Sequence, residues 1–489
     1  MIRFVVPCLG AGCAVLLWKG MSTESPVVNH APVDFTQSSV SQVFNQNCGK
    51  CHGMNGEGGG GGTKTLLTLD KFDQKWDKPF FDAIKNGVKD MGMEAYGQTM
   101  NDATIWSLVV HIRELQAQAL RSEYGSPKEV NGAYRTKLHN YRVETVVERD
   151  RDLTTPWAVD WLPDGKMLVT YRPGQMIVVD KGKTTQVENM PPSVEMGQGG
   201  LMEVAVHPNY KANGWIYLAV NDPASGGRGA MTKIVRGKLQ MTGSTARWTS
   251  QQTIFAADPS TYVTSGVHFG SRIAFDGKGH VFFAIGERGS GERAQDLGRP
   301  NGKVYRVNED GTIPADNPFV GREGAIKAIW SYGHRNPQGL VFDLQGNLWD
   351  TEHAPRGGDE VNLIKKGANY GWPNISFGIN YNDSPFRTPW PKAGENYAMP
   401  AFRWLPSIGA CGLDVARGSG FAKWKGDLLA GGLSGNNVDR LRMKDGKLVE
   451  REEILHKMGR VRDVAYGPDG HIYVVLNGPD KVIRLVEAR

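Results

Sequence analysis

Six times in this chain a short apolar strand runs into a glycine turn and then into a second apolar strand, and few folds accommodate that pattern. The runs are Ala158-Val159-Asp160-Trp161 before Asp164-Gly165, Glu203-Val204-Ala205-Val206 before Asn213-Gly214, and Arg272-Ile273-Ala274-Phe275 before Lys278-Gly279. They continue with Gly339-Leu340-Val341-Phe342 before Gln345-Gly346, Gly412-Leu413-Asp414-Val415 before Lys425-Gly426, and Asp463-Val464-Ala465-Tyr466 before Asp469-Gly470. Runs of this length rich in β-branched and aromatic residues read as strands, and glycine takes the positive φ that tight turns demand. The turn glycines recur at unequal intervals of 44 to 80 residues, as four-stranded propeller blades with variable loops would give. The expectation is an all-β six-bladed propeller over residues 141–489. Its central channel is rimmed by loops, and the segments leading into the repeats hold the unusual residues: Gly197-Gln198-Gly199-Gly200, Gly266 to Arg272, Gly286-Glu287-Arg288-Gly289, Pro406-Ser407-Ile408 and Gly459-Arg460-Val461-Arg462. The functional site is expected on that rim.

Ahead of the repeats, Cys48-Gly49-Lys50-Cys51-His52 forms a C-x-x-C-H on a predicted helix. Two thiols at this spacing can form thioethers to both haem vinyls while the adjacent imidazole takes an axial iron position. A zinc knuckle would need two further Cys or His ligands nearby, and a thioredoxin-like pair would need a strand before it. Haem c on Cys48, Cys51 and His52 is therefore expected. The other axial ligand should be a methionine, with Met91, Met93 and Met100 as candidates. Gly92-Met93-Glu94-Ala95-Tyr96-Gly97, followed by an apolar helix over 105–115, resembles the Gly-Met-Pro-Ala-Phe-Gly segment of small class I cytochromes c. That resemblance puts Met93 on the iron. Glu94 stands where the segment has proline, which leaves Met91 as the competitor; Met100 reads as a core filler. A small all-α cytochrome c domain is thus expected over 35–118, with a polar linker over 119–140.

At 489 residues the chain exceeds one ordinary core, since domains run to roughly 150 residues. A net charge of +6 spread over this length, with no basic run interleaved with aromatics, gives no nucleic-acid signature. Two of the five cysteines, Cys8 and Cys13, lie in the leader and two in the haem motif, so no disulfide framework is available to Cys411. Export is argued instead from the N-terminus. Met1-Ile2-Arg3 and an apolar run to Trp18 read as a signal peptide or short anchor within residues 1–25, which predicts a periplasmic protein with a possible membrane anchor.

Between Ser331 and Pro373 the sequence is densest in polar residues and glycine. Gly333-His334-Arg335-Asn336-Pro337-Gln338-Gly339 and Glu352-His353-Ala354-Pro355-Arg356-Gly357-Gly358-Asp359-Glu360 flank a predicted hairpin that delivers both loops to one rim. Arg335 offers a planar fork for carboxylates, and the carbonyls of Ala354 and Pro355 suit a hard cation such as calcium. With Gly367-Ala368-Asn369-Tyr370-Gly371-Trp372-Pro373, this stretch resembles the soluble quinoprotein sugar dehydrogenases, the glucose, aldose and sorbosone dehydrogenases that use pyrroloquinoline quinone (PQQ). The resemblance runs from about Leu153 to the C-terminus.

That resemblance implies PQQ and Ca²⁺ as cofactors beside the haem. It implies His268 as the base toward a sugar hydroxyl, with Gln198 orienting substrate and Arg335 stabilising charge on the reduced quinone. Arg335, Arg460 and Arg462 would meet the PQQ carboxylates; Asn336, Gln338, His353 and Ser407 would line the cofactor. Ala354 and Pro355 would hold the bridging calcium, and Glu360 and Tyr370 a second, structural one. The chain also departs from the pattern. Leu433-Ser434-Gly435-Asn436-Asn437 lacks the cofactor-binding lysine of relatives, and Ala410-Cys411 replaces the usual Pro-Ser pair. The expected activity is oxidation of an aldose at C1, with electrons passed to the fused haem and then to a soluble cytochrome or terminal oxidase. The alternative is a non-catalytic binding propeller, because fold alone does not imply function.

Overall fold

The computed structural model describes residues 39–60, 63–121, 126–226 and 228–488; the leader over 1–25 lies outside them. None of the helices among these residues is long and apolar enough to cross a membrane.

The N-terminal unit is helical: α1 (Val40–Asn47), α2 (Gly49–His52), α3 (Asp77–Asn86) and α4 (Asp102–Ala119). Asn101 caps α4 by accepting from the Thr104 N–H at 2.9 Å, satisfying one of the free amides of the first turn. Ile105, Trp106 and Val109 of α4 are fully buried against Val43 and Phe44 of α1 and Phe81 and Ile84 of α3. The same cluster takes in Phe377 and Ile379 from the β part, so α4 is buried on more than one side.

The β part forms five hydrogen-bonded sheets among the described residues: three of four strands, one of eight and one of six. Strands neighbouring in sequence pair antiparallel, as in Ile273↔Phe283 and Phe283↔Tyr305. The eight-stranded sheet joins two sequential runs at their outer strands, where Ala246 and Arg247 pair parallel with Val187 and Glu188. In the six-stranded sheet, Asn140–Val147 pairs with the C-terminal strand Lys481–Ala488. That pairing locks the two ends of the β part together and covers backbone groups that an edge strand would leave open. Lys128–Val130 and Ala133–Arg135, in the segment read as linker, extend the same sheet.

The first strands of the runs pack on one another in sequence. Pro156–Trp161 meets Leu201–Val206, and contacts continue through Ile273–Phe275, Pro337–Phe342, Ala410–Val415 and Arg460–Tyr466 back to Pro156–Trp161. This closed ring makes the β fold propeller-like, and aspartates within the apolar repeats staple it. Asp160 accepts from the Val206 N–H at 2.6 Å, Asp414 from Tyr466 at 2.7 Å and Asp463 from Val159 at 3.3 Å, each carboxylate satisfying an amide of a neighbouring inner strand.

Arg272 crosses the axis. It pairs with Glu203 at 2.8 Å and Asp463 at 2.7 Å and donates to the carbonyls of Gln338 (2.6 Å) and Arg462 (2.8 Å). Removing one partner of a buried ion pair costs about 3–5 kcal/mol, so losing Arg272 would leave Glu203 and Asp463 buried without their cation. A cavity of about 570 Å³ is lined by the later residues of the inner strands, such as Asp160 and Asp414, and by residues just beyond them, such as Arg417. The segments entering those strands form the opposite rim.

Candidate active site and cation pocket

The entering segments bring His268, Gln198, Arg335, Asn336, Gln338, His353 and Arg462 into one contact network. His268 has a positive φ of 54°, which non-glycine residues rarely adopt and which marks a strained position. Two features hold it there. Its N–H donates to Gln198 Oε1 at 3.1 Å, and its carbonyl lies where a Cβ on Gly286 would be, 2.2 Å away, so only glycine fits at 286. The next residue, Glu287, is 1% exposed and pairs directly with His268 Nδ1. With Nδ1–H directed at this carboxylate, Nε2 is left as the acceptor. Burial, then the Arg335 charge, pull the His268 pKa below the ordinary histidine value against the Glu287 bond. Arg288 pins the loop by donating to the carbonyls of Val267 (3.0 Å) and Ala230 (3.1 Å).

Arg335 is 5% exposed and donates through Nη1 to the carbonyls of Ala354 (2.8 Å) and His353 (3.1 Å), and through Nη2 to the Tyr381 hydroxyl at 3.4 Å. Its guanidinium lies 5.3 Å from the Trp372 ring centroid. Arg462 stacks on Trp157 at 4.1 Å and donates to Gln338 Oε1 at 3.2 Å; Gln338 in turn reaches Gly270 O and Asn336 Oδ1. Burial, followed by Arg335 and Arg462, pushes the His353 imidazole down to about 3, so it is neutral. Buried His353 Nε2, Arg335 Nε and Glu287 Oε2 have no hydrogen-bond partner among the described residues. Buried polar atoms are nearly always satisfied, so these three mark the place of a polar ligand. Arg460 stands apart, exposed at the start of its strand.

The Ala354–Pro355 backbone is anchored by Asp359, which accepts from Ala354 N (3.1 Å), Ser407 Oγ (2.8 Å) and Ala410 N (2.7 Å). Ser407 also reaches Pro355 O at 3.5 Å. Behind this loop Asp350 and Glu352 are buried, with Glu360 half-buried in the same group. Burial, reinforced by their mutual repulsion, raises Asp350 and Glu360 well above the usual carboxylate range; burial likewise raises Glu352 to about 8. Among the described residues, both Asp350 oxygens and His334 Nδ1 lack hydrogen-bond partners, although His334 Nδ1 is 3.3 Å from Glu352 Oε2. A cavity of about 10 Å³, lined by Glu352, Glu360, Ala354 and Tyr370, is close to the volume of a single small occupant. Clustered buried carboxylates suit a hard divalent cation that would take up their charge. The Tyr370 hydroxyl is committed elsewhere, donating to Leu363 O at 2.6 Å and accepting from Lys365 N at 2.9 Å, while its ring stacks on His334.

In the helical unit, Cys48, Cys51 and His52 sit together on α1–α2, and burial holds the His52 imidazole below its ordinary pKa, in the neutral form an iron ligand needs. Met93 packs against the helical core, bridged to Val88; Met91 is 76% exposed and Met100 5%.

Residues 153–484 match the family described as Glucose / Sorbosone dehydrogenase. The chain belongs to that family. Residues 36–112 match the family described as Cytochrome C oxidase, cbb3-type, subunit III, so a cytochrome c domain of this type precedes the dehydrogenase region. The chain is 39% identical over 331 residues to aldose sugar dehydrogenase YliI of Escherichia coli, covering 66% of this chain and 87% of that protein. It is 30% identical over 311 residues to quinoprotein glucose dehydrogenase B of Acinetobacter calcoaceticus, covering 58% and 61%. The crystal structure of the soluble aldose sugar dehydrogenase from Escherichia coli in the apo-form superposes with a TM-score of 0.66 at 35% identity, over 71% of this chain and 100% of that one. The PQQ-bound aldose sugar dehydrogenase of Streptomyces coelicolor gives 0.58 at 26% identity, over 71% and 98%.

Four contact residues had no role assigned from sequence. Glu287 carried a signal, since it stands in a glycine-flanked loop at the rim. Asp359 closes the Gly357-Gly358 pair. Trp372 stood in the Gly367–Pro373 run without a role, and Tyr381 carried no signal, because only the path of the 373–405 segment brings its hydroxyl to Arg335.

Proposed function

We propose that this chain is an exported PQQ-dependent dehydrogenase that oxidises an aldose or related sugar at C1, with its own haem c as the first electron acceptor. The observation that carries this reading is the His268–Glu287 pair on the same rim as Arg335, beside buried polar atoms that await a ligand. The blade count behind it is six, taking the eight-stranded sheet as two blades joined at their outer strands. Export to the periplasm rests on the apolar leader, and a soluble cytochrome or terminal oxidase is the acceptor that suits a haem outlet.

When bound, PQQ supplies an ortho-quinone that accepts hydride. Arg335, Arg462, Asn336, Gln338 and His353 would hold it, and the carbonyls of Ala354 and Pro355 would face its calcium. His268 Nε2 takes the proton of the anomeric hydroxyl, and Glu287 balances the imidazolium charge that results. Gln198 uses its carbonyl to fix the His268 backbone, which makes it a positioning residue. Arg335 places positive charge where negative charge develops. The direct test is anaerobic addition of an aldose to protein loaded with PQQ and Ca²⁺. Haem reduction is expected, and haem that stays oxidised would overturn the reading.

Three further outcomes follow from the residues. Because His268 works unprotonated and its pKa lies below the ordinary histidine value, single-turnover rates should rise with pH along a limb centred below about 6.5 and level off by neutrality. Glu287 raises that pKa, so Glu287→Gln should move the limb to lower pH while slowing the reaction; a limb that stays put would exclude the pair. At the iron, Met93→Ala should remove the low-spin Met/His spectrum and lower the potential, whereas Met91→Ala should leave both unchanged. For the acidic pocket, a cation at about 100 times its Kd stabilises by about 2.7 kcal/mol. Cofactor-free protein should therefore melt at higher temperature in Ca²⁺ than in chelator, and Glu352→Gln should abolish the difference.

A further inference from the structure

We infer that the loop Ala354–Gly358 is the electron exit from the sugar-oxidising site and that Arg356 docks the cytochrome c domain on it. This rests on the proposed haem-linked activity and specifies its route. One end of the loop belongs to the site, because Arg335 holds Ala354 O at 2.8 Å. Two residues on, Arg356 grips α4 of the cytochrome c domain with a two-pronged contact, Nε to Glu114 Oε1 at 2.8 Å and Nη2 to Glu114 Oε2 at 2.7 Å. Such forked pairs fix direction as well as distance. Gly357, at φ 85°, lies so close to α4 that a Cβ there would stand 3.1 Å from Val110 Cγ1.

The third prong of Arg356 reaches Asp383 at 2.9 Å, and Asp383 completes the link to the haem motif. Helix α1 has no side-chain cap of its own and no acidic residue in its first turn. Asp383 supplies both from the β part: its carboxylate accepts from Ser41 N at 3.1 Å and Ser41 Oγ at 2.7 Å, and its carbonyl accepts from Val40 N at 2.7 Å. The helix so capped runs directly into Cys48. Around this polar link the contact is packed. Trp106 Nε1 donates to Phe377 O at 3.1 Å, Trp390 lies edge-on to Trp106 and Phe81 at 5.3 and 4.6 Å, and Arg403 pairs with the buried Asp77. The cytochrome c domain is thus seated in one orientation, with the cofactor loop beneath it.

Oxidation of one sugar CH–OH to C=O releases two electrons and two protons. The haem iron takes one electron, Fe(III) to Fe(II), and passes it to an external one-electron acceptor before taking the second; both protons leave to solvent. A fixed seat keeps the two centres in register through both transfers. The test uses full-length protein loaded with PQQ, Ca²⁺ and haem, mixed rapidly with sugar, in Glu114→Gln and Arg356→Met. Quinone reduction should stay at the wild-type rate while haem reduction slows, and Arg356→Lys should recover part of the loss. A readout free of turnover accompanies it: amides of α4 and Gly357–Gly358 should exchange hydrogen faster in cofactor-free Arg356→Met. Haem reduction at the wild-type rate in Arg356→Met, or unchanged exchange, would overturn the docking role. Wild-type haem that sugar leaves oxidised would instead overturn the functional reading, and the exit with it.

Discussion

Replacing His268 by glutamine should slow reduction of the bound quinone by sugar about 10²- to 10⁴-fold, the usual contribution of a positioned general base. The size of the effect follows from the arrangement. Glu287 fixes which nitrogen carries the proton, and burial keeps the imidazole neutral at working pH, so the base is oriented and unprotonated beforehand. PQQ affinity should change little, because the guanidiniums and the Ala354 and Pro355 carbonyls do not depend on the imidazole. A purely structural histidine would behave otherwise. His268 occupies a strained positive φ, and if its role were to support that turn, the variant should lose cofactor and melting temperature together with rate. Single-turnover reduction of bound PQQ separates the two, and a wild-type rate in His268→Gln would remove the residue from the chemistry.

Arg335→Ala should weaken PQQ binding by roughly 30- to 5,000-fold, since truncating one partner of a buried, hydrogen-bonded charge costs about 2–5 kcal/mol. The loss has two sources here. The guanidinium faces the position of the polar ligand, and it also ties down the carbonyls of His353 and Ala354, so its removal frees the loop that should present calcium ligands. Arg335→Lys should recover little, because an ammonium lacks the planar fork. Equilibrium dialysis of PQQ at saturating Ca²⁺ measures the change. Unaltered affinity in Arg335→Ala would restrict the residue to holding the loop.

Sequence alone went far where the chemistry is local. The three groups of the haem motif lie within five consecutive residues, so their spacing already states their geometry, and the glycine turns of the repeats are set by φ within the turn itself. Family membership was legible for a related reason: the two loops around Arg335 and Ala354 keep their identity in continuous runs. Non-local contacts were less legible. Glu287 lies 19 positions from His268, and nothing in the intervening residues says that the two meet. The pairing of Val187 and Glu188 with Ala246 and Arg247 merges two runs into one sheet, which the turn glycines do not announce.

The amino-acid order by itself therefore determined the two-part design, the haem-binding motif, the strand repeats and the family, because each is written in neighbouring residues and in backbone preferences that hold before folding. Tertiary structure decided the burial that keeps the His268 imidazole neutral and the gathering of Glu352 and Glu360 around one small cavity, with Asp350 buried nearby. It also decided the grip of Arg356 on Glu114, 242 positions away. Burial and through-space distance set those properties, and neither exists until the strands close into a ring and the helical domain packs against it.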